Sequence, residues 1–303
     1  MKKILIAGGT GLIGTHLSQL LKNKGYEVAH LSRRANPNAE FPTYAWQPET
    51  GDFDKKAFDQ TDAIINLAGA GIADKLWSEK RKHEIIESRT LGNQLIVNYL
   101  RNNKHSIQTY ISASAIGFYG DSGNKLMTET SPAGTGFLAE STIAWENAIA
   151  EVATTNVRTI ALRIGVVLTP EGGALQKMLL PFIVRTGTYF GNGEQWTSWI
   201  HRDDLCNIFL WALENPTIYG TFNAVAPHPL SNYDLTKAIS TAKGGGYLLI
   251  PAPAFALRLG MGEMADVVLG STRVSPQKIE NQGFMFRFPE AVEALTHLLA
   301  ENN

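Results

Sequence analysis

The stretch Gly8-Gly9-Thr10-Gly11-Leu12-Ile13-Gly14 constrains this chain more than any other. It follows a short β-branched run, Lys3 to Ala7, and opens a segment to Lys22 in which Leu12, Ile13, His16, Leu17, Leu20 and Leu21 recur at helical spacing. Strand, tight turn and helix therefore succeed one another at the start of the chain. In that setting Gly8 permits the turn, Gly11 lets a pyrophosphate approach the backbone, and Gly14 allows helix and strand to pack closely. The helix N-terminus adds N–H groups and a partial positive charge. The spacing is GxxGxxG rather than GxGxxG, and its position directly after a strand gives the pattern its weight. A dinucleotide is expected, with Gly8, Thr10, Gly11, Leu12, Ile13 and Gly14 as cofactor-binding residues.

Further strands are read at Glu27 to Leu31, Ala63 to Leu67, Ile107 to Ser112 and Arg158 to Arg163, with helical patterns between most of them. The longest helical pattern runs from Trp77 to Leu100. Strands alternating with helices imply parallel βαβ units with right-handed crossovers. The expected fold class is α/β, a Rossmann-type doubly wound parallel sheet with ligands at the carboxyl ends of its strands. After Pro170 glycines and prolines punctuate shorter elements, which predicts a smaller C-terminal α/β lobe. Residues 1–170 form the expected dinucleotide-binding domain, with about 200–226 returning to it; 171–303 form a smaller substrate-side lobe. Pro289 to Ala300 reads as one amphipathic helix started by Pro289.

Composition narrows the partners. Across 303 residues, 27 Lys+Arg stand against 28 Asp+Glu, without a run of five like charges, so no nucleic-acid footprint is present. The lone Cys206 can form no intramolecular disulfide and no Cys-based metal site, and no metal is expected. Behind Met1-Lys2-Lys3 the apolar run breaks at Gly8-Gly9, short of a secretory h-region, and no apolar stretch reaches the ~20 residues of a membrane helix. A cytoplasmic protein with a small-molecule substrate, no nucleic acid and no membrane partner is expected. Its oligomeric state is not written in the sequence.

Cofactor choice turns on the end of the second strand, where an NAD-binding chain carries a carboxylate for the ribose 2′-OH. Here stand Ser32-Arg33-Arg34, a fork of guanidinium donors suited to a 2′-phosphate, so NADP(H) is expected. The alternative is a pair of solvated loop charges. Small residues at Leu67-Ala68-Gly69 let a cofactor lie against the backbone. Ser112 and Ser114 end the next strand, where a hydroxyl can hold a cofactor or substrate oxygen, or cap a turn.

GGTGLIG, NLAGA, SASAIGFYG, LRIGVVL and WIHRDDL occur in the order and spacing of the extended short-chain dehydrogenase/reductase superfamily, which the chain resembles. Trp77, Arg81, Ser88, Arg89, the Gly193 to His201 stretch and the terminal PAFALRLGMGEMADVVLGSTRVSPQKIENQGFMFRFPE are similar to its atypical NADP-binding epimerase family branch. That branch ends in a domain of unknown function. The resemblance implies that Ser88 and Arg89 face the cofactor, that Arg89 meets phosphate and Glu84 ribose or adenine, and that Arg163 and Ile164 also lie at the cofactor. An intrahelical Glu84–Ser88 arrangement with Arg89 on the surface is the competing reading.

The superfamily pattern includes Tyr-x-x-x-Lys, whose lysine lowers the tyrosine pKa for general base catalysis. Leu138 and Thr142 stand at the matching positions, and neither can do that work. The literal Tyr233 to Lys237 lies far downstream in the second lobe and is set aside. Ser114, Tyr119, Glu140 and His201 remain as candidate catalytic residues. The expected function is an NADP(H)-dependent oxidoreductase or nucleotide-sugar-epimerase-like enzyme acting on a small polar substrate without the Tyr–Lys pair. The alternative is a non-catalytic NADPH-binding sensor or scaffold.

Overall fold

A computed structural model describes residues 2–36 and 38–300. Met1, Pro37 and residues 301–303, the end of the expected second lobe, lie outside the described residues. Strands β1 (Lys3–Ala7), β2 (Glu27–Ser32), β3 (Thr43–Gln47), β4 (Asp52–Phe53), β5 (Thr61–Asn66) and β6 (Thr109–Ala115) join two later ones, Arg158–Ile164 and Gly220–Ala224. From one edge the order is Gly220–Ala224, Arg158–Ile164, β6, β5, β1, β2, β3, β4. All neighbours run parallel except β3 and β4. This is the doubly wound sheet read from the alternating pattern. The chain leaves β1 towards β2 and returns to β5 on its other side, so a crevice opens where the order reverses.

The central strands are continuous apolar runs because both faces are covered: every residue of β1 is buried. Helix α1 (Leu12–Asn23) turns Leu17 and Leu21 into the core, at about 2 kcal/mol for each side chain removed from water. Helix α2 (Glu79–Asn102) starts later than its periodicity predicts. Ser78 caps it by accepting from Arg81 N, while the Trp77 indole N–H goes out of register to Ile72 O. Helix α3 (Phe137–Ala153) packs beside α2.

Beyond Ile164 the chain makes short strand pairs, Val166–Leu168 with Trp199–His201 and Thr186–Phe190 with Leu248–Ala252, and Arg273–Val274 pairs back with the earlier Leu126–Met127. Helices α4 (Gly173–Leu179), α5 (Arg202–Glu214) and α6 (Asn232–Ala242) lie among them. A second apolar cluster forms here, with Leu175, Phe182, Trp199, Leu235 and Leu295. The final helix is Ala291–Ala300, two residues later than Pro289. No helix of the described residues is long and apolar enough to cross a membrane.

Candidate functional site

The glycine turn is fixed by close approach. At Gly14 an added Cβ would fall 2.3 Å from Gly8 O, backbone that cannot yield. Gly8 has φ +78° and a Cβ position 3.0 Å from Ala68 N, so this loop leans directly on the turn after β5. Asn66 holds that turn from the other side: its Oδ1 accepts from Ala68 N at 3.0 Å and its Nδ2 donates to the Tyr110 hydroxyl at 2.9 Å. The α1 N-terminus has no side-chain cap and no acid in its first turn, whereas Ser78, His201 and Ser231 cap α2, α5 and α6. Its N–H groups thus remain available to an anion. Thr10, Gly11 and Leu12 are exposed and Ile13 half-buried around this terminus.

At the end of β2, Ser32, Arg33 and Arg34 line an open cavity of about 590 Å³ together with Gln47 and Glu49. Both arginines are exposed. Among the described residues neither makes an ion pair with Glu49. Gln47 and Glu49 were not legible in the sequence, because only the pairing of β3 beside β2 brings them here.

At the ends of β5 and β6 the side chains sort differently from expectation. Leu67, Ala68 and Gly69 are accessible, as is Ile164 in part. Ser112 is fully buried, its hydroxyl donating to Ala113 O at 2.9 Å, so its side chain is enclosed rather than turned to a ligand. Arg163 is 4% exposed and each of its three nitrogens donates inside the protein: Nε and Nη2 to Glu146 at 2.8 and 2.7 Å, and Nη1 to the Tyr119 hydroxyl at 2.9 Å. Its guanidinium also lies 3.5 Å over the Phe118 ring. Its side chain is thus held in an internal ion pair. Glu84 is an exposed carboxylate 3.2 Å from Arg81 Nη1. Ser88 accepts from Ala70 N at 3.0 Å, and Arg89 lies half-buried beside Gly69.

The four candidate catalytic groups are not assembled into one constellation. Ser114, 2% exposed, donates its hydroxyl proton to Glu146 at 2.6 Å, so that proton is not free for a substrate oxyanion. Tyr119 is buried, donates to Asn223 Oδ1 at 2.7 Å, and has its pKa raised chiefly by burial. Glu140 is exposed on α3, two residues from Leu138 and so on the opposite side of the helix. His201 is buried; its Nδ1 accepts from Asp203 N at 2.9 Å as the cap of α5, and its ring stacks on Phe288 at 3.9 Å. Leu138 and Thr142 do share a face of α3, against Gly117 at the end of β6, and the Thr142 hydroxyl is turned back onto Leu138 O at 2.8 Å. Tyr233 and Lys237 are both exposed on α6.

The final helix brings His297 to His201 and Asp203, their ligand atoms lying within 4.8 Å of one another. With Nδ1 accepting a backbone N–H, neutral His201 carries its proton on Nε2 and has no lone pair left to give. The Asp203 carboxylate receives Arg202 Nε at 3.0 Å. That donor set does not suit a cation.

Residues 4–224 match the NAD dependent epimerase/dehydratase family, and 252–298 match a domain of unknown function, DUF1731. The chain belongs to the NAD dependent epimerase/dehydratase family. It is 35% identical to an epimerase family protein of Mycobacterium bovis across 96% of both chains. It is 33% identical to epimerase family protein SDR39U1 of Mus musculus across 98% of this chain and all of that one. The crystal structure of human epimerase family protein SDR39U1 with NADPH superposes with a TM-score of 0.90 at 31% identity, covering 99% of this chain and 100% of that one. A UDP-glucuronic acid 4-epimerase from Bacillus cereus, at 18% identity and a TM-score of 0.76, covers 99% of this chain and 100% of its own and shares the fold. The family and the terminal domain are those the motifs resembled.

Proposed function

We propose that this chain binds NADP(H) and acts as an oxidoreductase or epimerase-like enzyme on a small polar substrate, with slow turnover. The observation that carries the cofactor is the pair Arg33–Arg34 lining the cavity at the end of β2, the strand paired in parallel with β1, which leads into the uncapped α1 N-terminus. The likeness to the NADPH-bound human protein supports it. In this reading Arg33 and Arg34 hold the 2′-phosphate, Gly9 to Ile13 meet the pyrophosphate through backbone N–H groups, and Leu67 to Gly69 form the floor beside it. Ser32 shares the cavity wall with Gln47 and Glu49.

NADPH, when bound, supplies a hydride from its nicotinamide ring. The chain's own part is to place and enclose it. No titratable group stands at Leu138 or Thr142, and a missing positioned acid or base lowers a rate by about 10²- to 10⁴-fold. The engagement of Ser114 with Glu146 and of Tyr119 with Asn223 favours a second reading, an NADPH-binding sensor or scaffold without turnover.

The experiment has two stages. NADPH and NADH are titrated against the wild type, and NADPH is expected to bind at least tenfold tighter. Equal affinities overturn the cofactor reading. The protein is then incubated with NADPH and a panel of carbonyl compounds, following absorbance and bound-cofactor fluorescence. Slow oxidation supports the enzyme; binding without oxidation across the panel supports the sensor.

A further inference from the structure

Parallel strands are normally covered on both faces. The parallel pair Thr186–Phe190 and Leu248–Ala252 is covered on one. On that side a Cβ at Gly187 would fall 2.7 Å from Leu249 Cδ2, 2.8 Å from Phe182 Cζ and 3.1 Å from Thr236 Cγ2, so Gly187 and Leu249 are pressed onto α6. Successive side chains alternate across a strand, and Leu248 and Ile250 therefore point the other way, where they are 68% and 39% exposed. The chain before and after the pair adds to this apolar surface. Ile183 and Val184 belong to the 3₁₀ turn Leu180–Val184, and the next residue, Arg185, accepts from Leu248 N at 3.2 Å through its carbonyl oxygen. Helix α7 (Ala254–Met261) follows the second strand, buries none of its residues and presents Phe255 and Leu259. These four side chains are 72 to 87% exposed. Apolar side chains gathered in water in this way mark a binding surface.

Its place in the fold says what covers it. Helix α4, which leads into the 3₁₀ turn, starts against the dinucleotide turn: a Cβ at Gly172 would lie 3.3 Å from Leu12 Cδ2. Lys177 of α4 donates to Ala73 O at 3.2 Å, in the loop between β5 and α2. After α7 the chain is tied again, by Glu263 to Lys82 of α2 at 2.5 Å. The Lys82 ammonium lies 5.5 Å from the centre of the Phe137 ring, and Phe137 is the neighbour of Leu138 on α3. Leu12 follows β1, and Ala73 and Lys82 follow β5, the strands at which the sheet order reverses. The segments that carry the apolar side chains are thus moored on both sides of the crevice. Their occupant is the molecule that the crevice admits.

We infer that the substrate is an amphiphile, whose carbonyl end enters the crevice and whose hydrocarbon chain lies on the open face of Leu248, Ile250 and Phe255. This rests on the enzyme reading above and deepens it by naming the substrate class: the polar group is one end of the molecule, and an apolar chain is the other. Each methylene taken from water onto such a face raises affinity by up to about fourfold. The crevice then has two unlike ends, a cationic one at Arg33 and Arg34 for the cofactor and an apolar one for the substrate chain.

The test is displacement of N-phenyl-1-naphthylamine, an apolar fluorescent reporter, by methyl ketones from 2-butanone to 2-decanone, with and without NADPH. Affinity is expected to rise by about twofold or more for each added methylene. Leu248→Asn and Phe255→Ser change exposed positions on different elements, so that one folded variant suffices. Each is expected to weaken 2-decanone about fivefold or more, leaving 2-butanone unchanged and NADPH within about twofold. Tyr219→Ser removes a side chain that is 74% exposed at the amino end of the sheet, next to Gly220, and is expected to change nothing. Ketone affinities that do not depend on chain length, or that fall equally in Tyr219→Ser, overturn the inference. So does a wild type that dimerises in sedimentation velocity, or binds phosphatidylcholine vesicles, through Leu248 and Phe255, because the face then belongs to a second copy or a bilayer. NADPH titration of the same proteins separates the two readings. Dependence on chain length without NADPH binding overturns the cofactor reading alone, and NADPH binding without that dependence overturns this inference alone.

Discussion

Glu146 decides what Ser114 can do. Its carboxylate takes the serine proton at 2.6 Å and two Arg163 donors, with its own side chain 14% exposed, so the serine is part of an internal network that continues through Tyr119 to Asn223. Removing one end of such a network differs from removing its centre. Ser114→Ala leaves Glu146 still paired and is expected to cost about 1 kcal/mol. Glu146→Ala leaves Arg163 buried without its partner and is expected to cost about 3 to 5 kcal/mol. Urea unfolding of the two variants checks this; equal losses would show that the ion pair is not the centre of the network. At the opposite end of the sheet, Arg33 is exposed and has no structural burden of that kind. Arg33→Ala is expected to weaken NADPH roughly ten- to a hundredfold and to change NADH by no more than about twofold, measured by titration of both.

Within α1 and its turn, two glycines are constrained by different things. A Cβ at Gly14 collides with Gly8 O and Gly9 Cα, so Gly14→Ala should lower the melting temperature and NADPH binding together. A Cβ at Gly11 meets only Gly8 O, at 3.2 Å, on an exposed helix cap with φ −80°. Gly11→Val should therefore fold like the wild type, seen by circular dichroism, yet fill the space of the pyrophosphate and abolish NADPH binding. Normal binding by Gly11→Val would mean that the pyrophosphate does not lie on this turn. These two glycines and the strands around them were legible because a glycine turn, a β-branched run and a helical stripe are local patterns. The partners of the catalytic candidates were not. Ser114 and Glu146 are 32 residues apart, and nothing in the spacing of either says that β6 and α3 bring them together. Glu140, chosen on the same helix, is exposed because helical periodicity turns it away from the buried face of Ala139, Thr142 and Trp145. Glu49 reaches the arginine cavity only through the pairing of β2 with β3, and His297 reaches His201 only through the docking of the last helix.

On the scale of the whole molecule, α5 joins the sheet to the C-terminal segment, and its first turn makes the join. The Asp204 carboxylate accepts from Arg287 N and Phe288 N, each at 2.9 Å, and His201 stacks on Phe288 beside His297. Burial holds His201 down at about 4, against about 6.5 for the free side chain. Between those values the unfolded chain binds a proton that the folded chain refuses. The stability His201 contributes is then fully present above about pH 6.5 and is lost as pH falls towards 4. His30, buried beneath the glycine turn against Ser18, is shifted the same way by burial and adds to the slope. Asp204, whose carboxyl burial raises, takes up its proton more readily when folded and opposes the trend at the acid end of the range. The decisive comparison is therefore a difference between two proteins. His201→Asn keeps a side-chain acceptor for the Asp203 N–H at the cap but removes the titrating ring. Stability of both from denaturant unfolding between pH 7.5 and 4.5 is expected to fall more steeply on acidification for the wild type, by up to one proton in slope. A His201→Asn slope equal to that of the wild type would place the acid sensitivity of this join on groups other than His201.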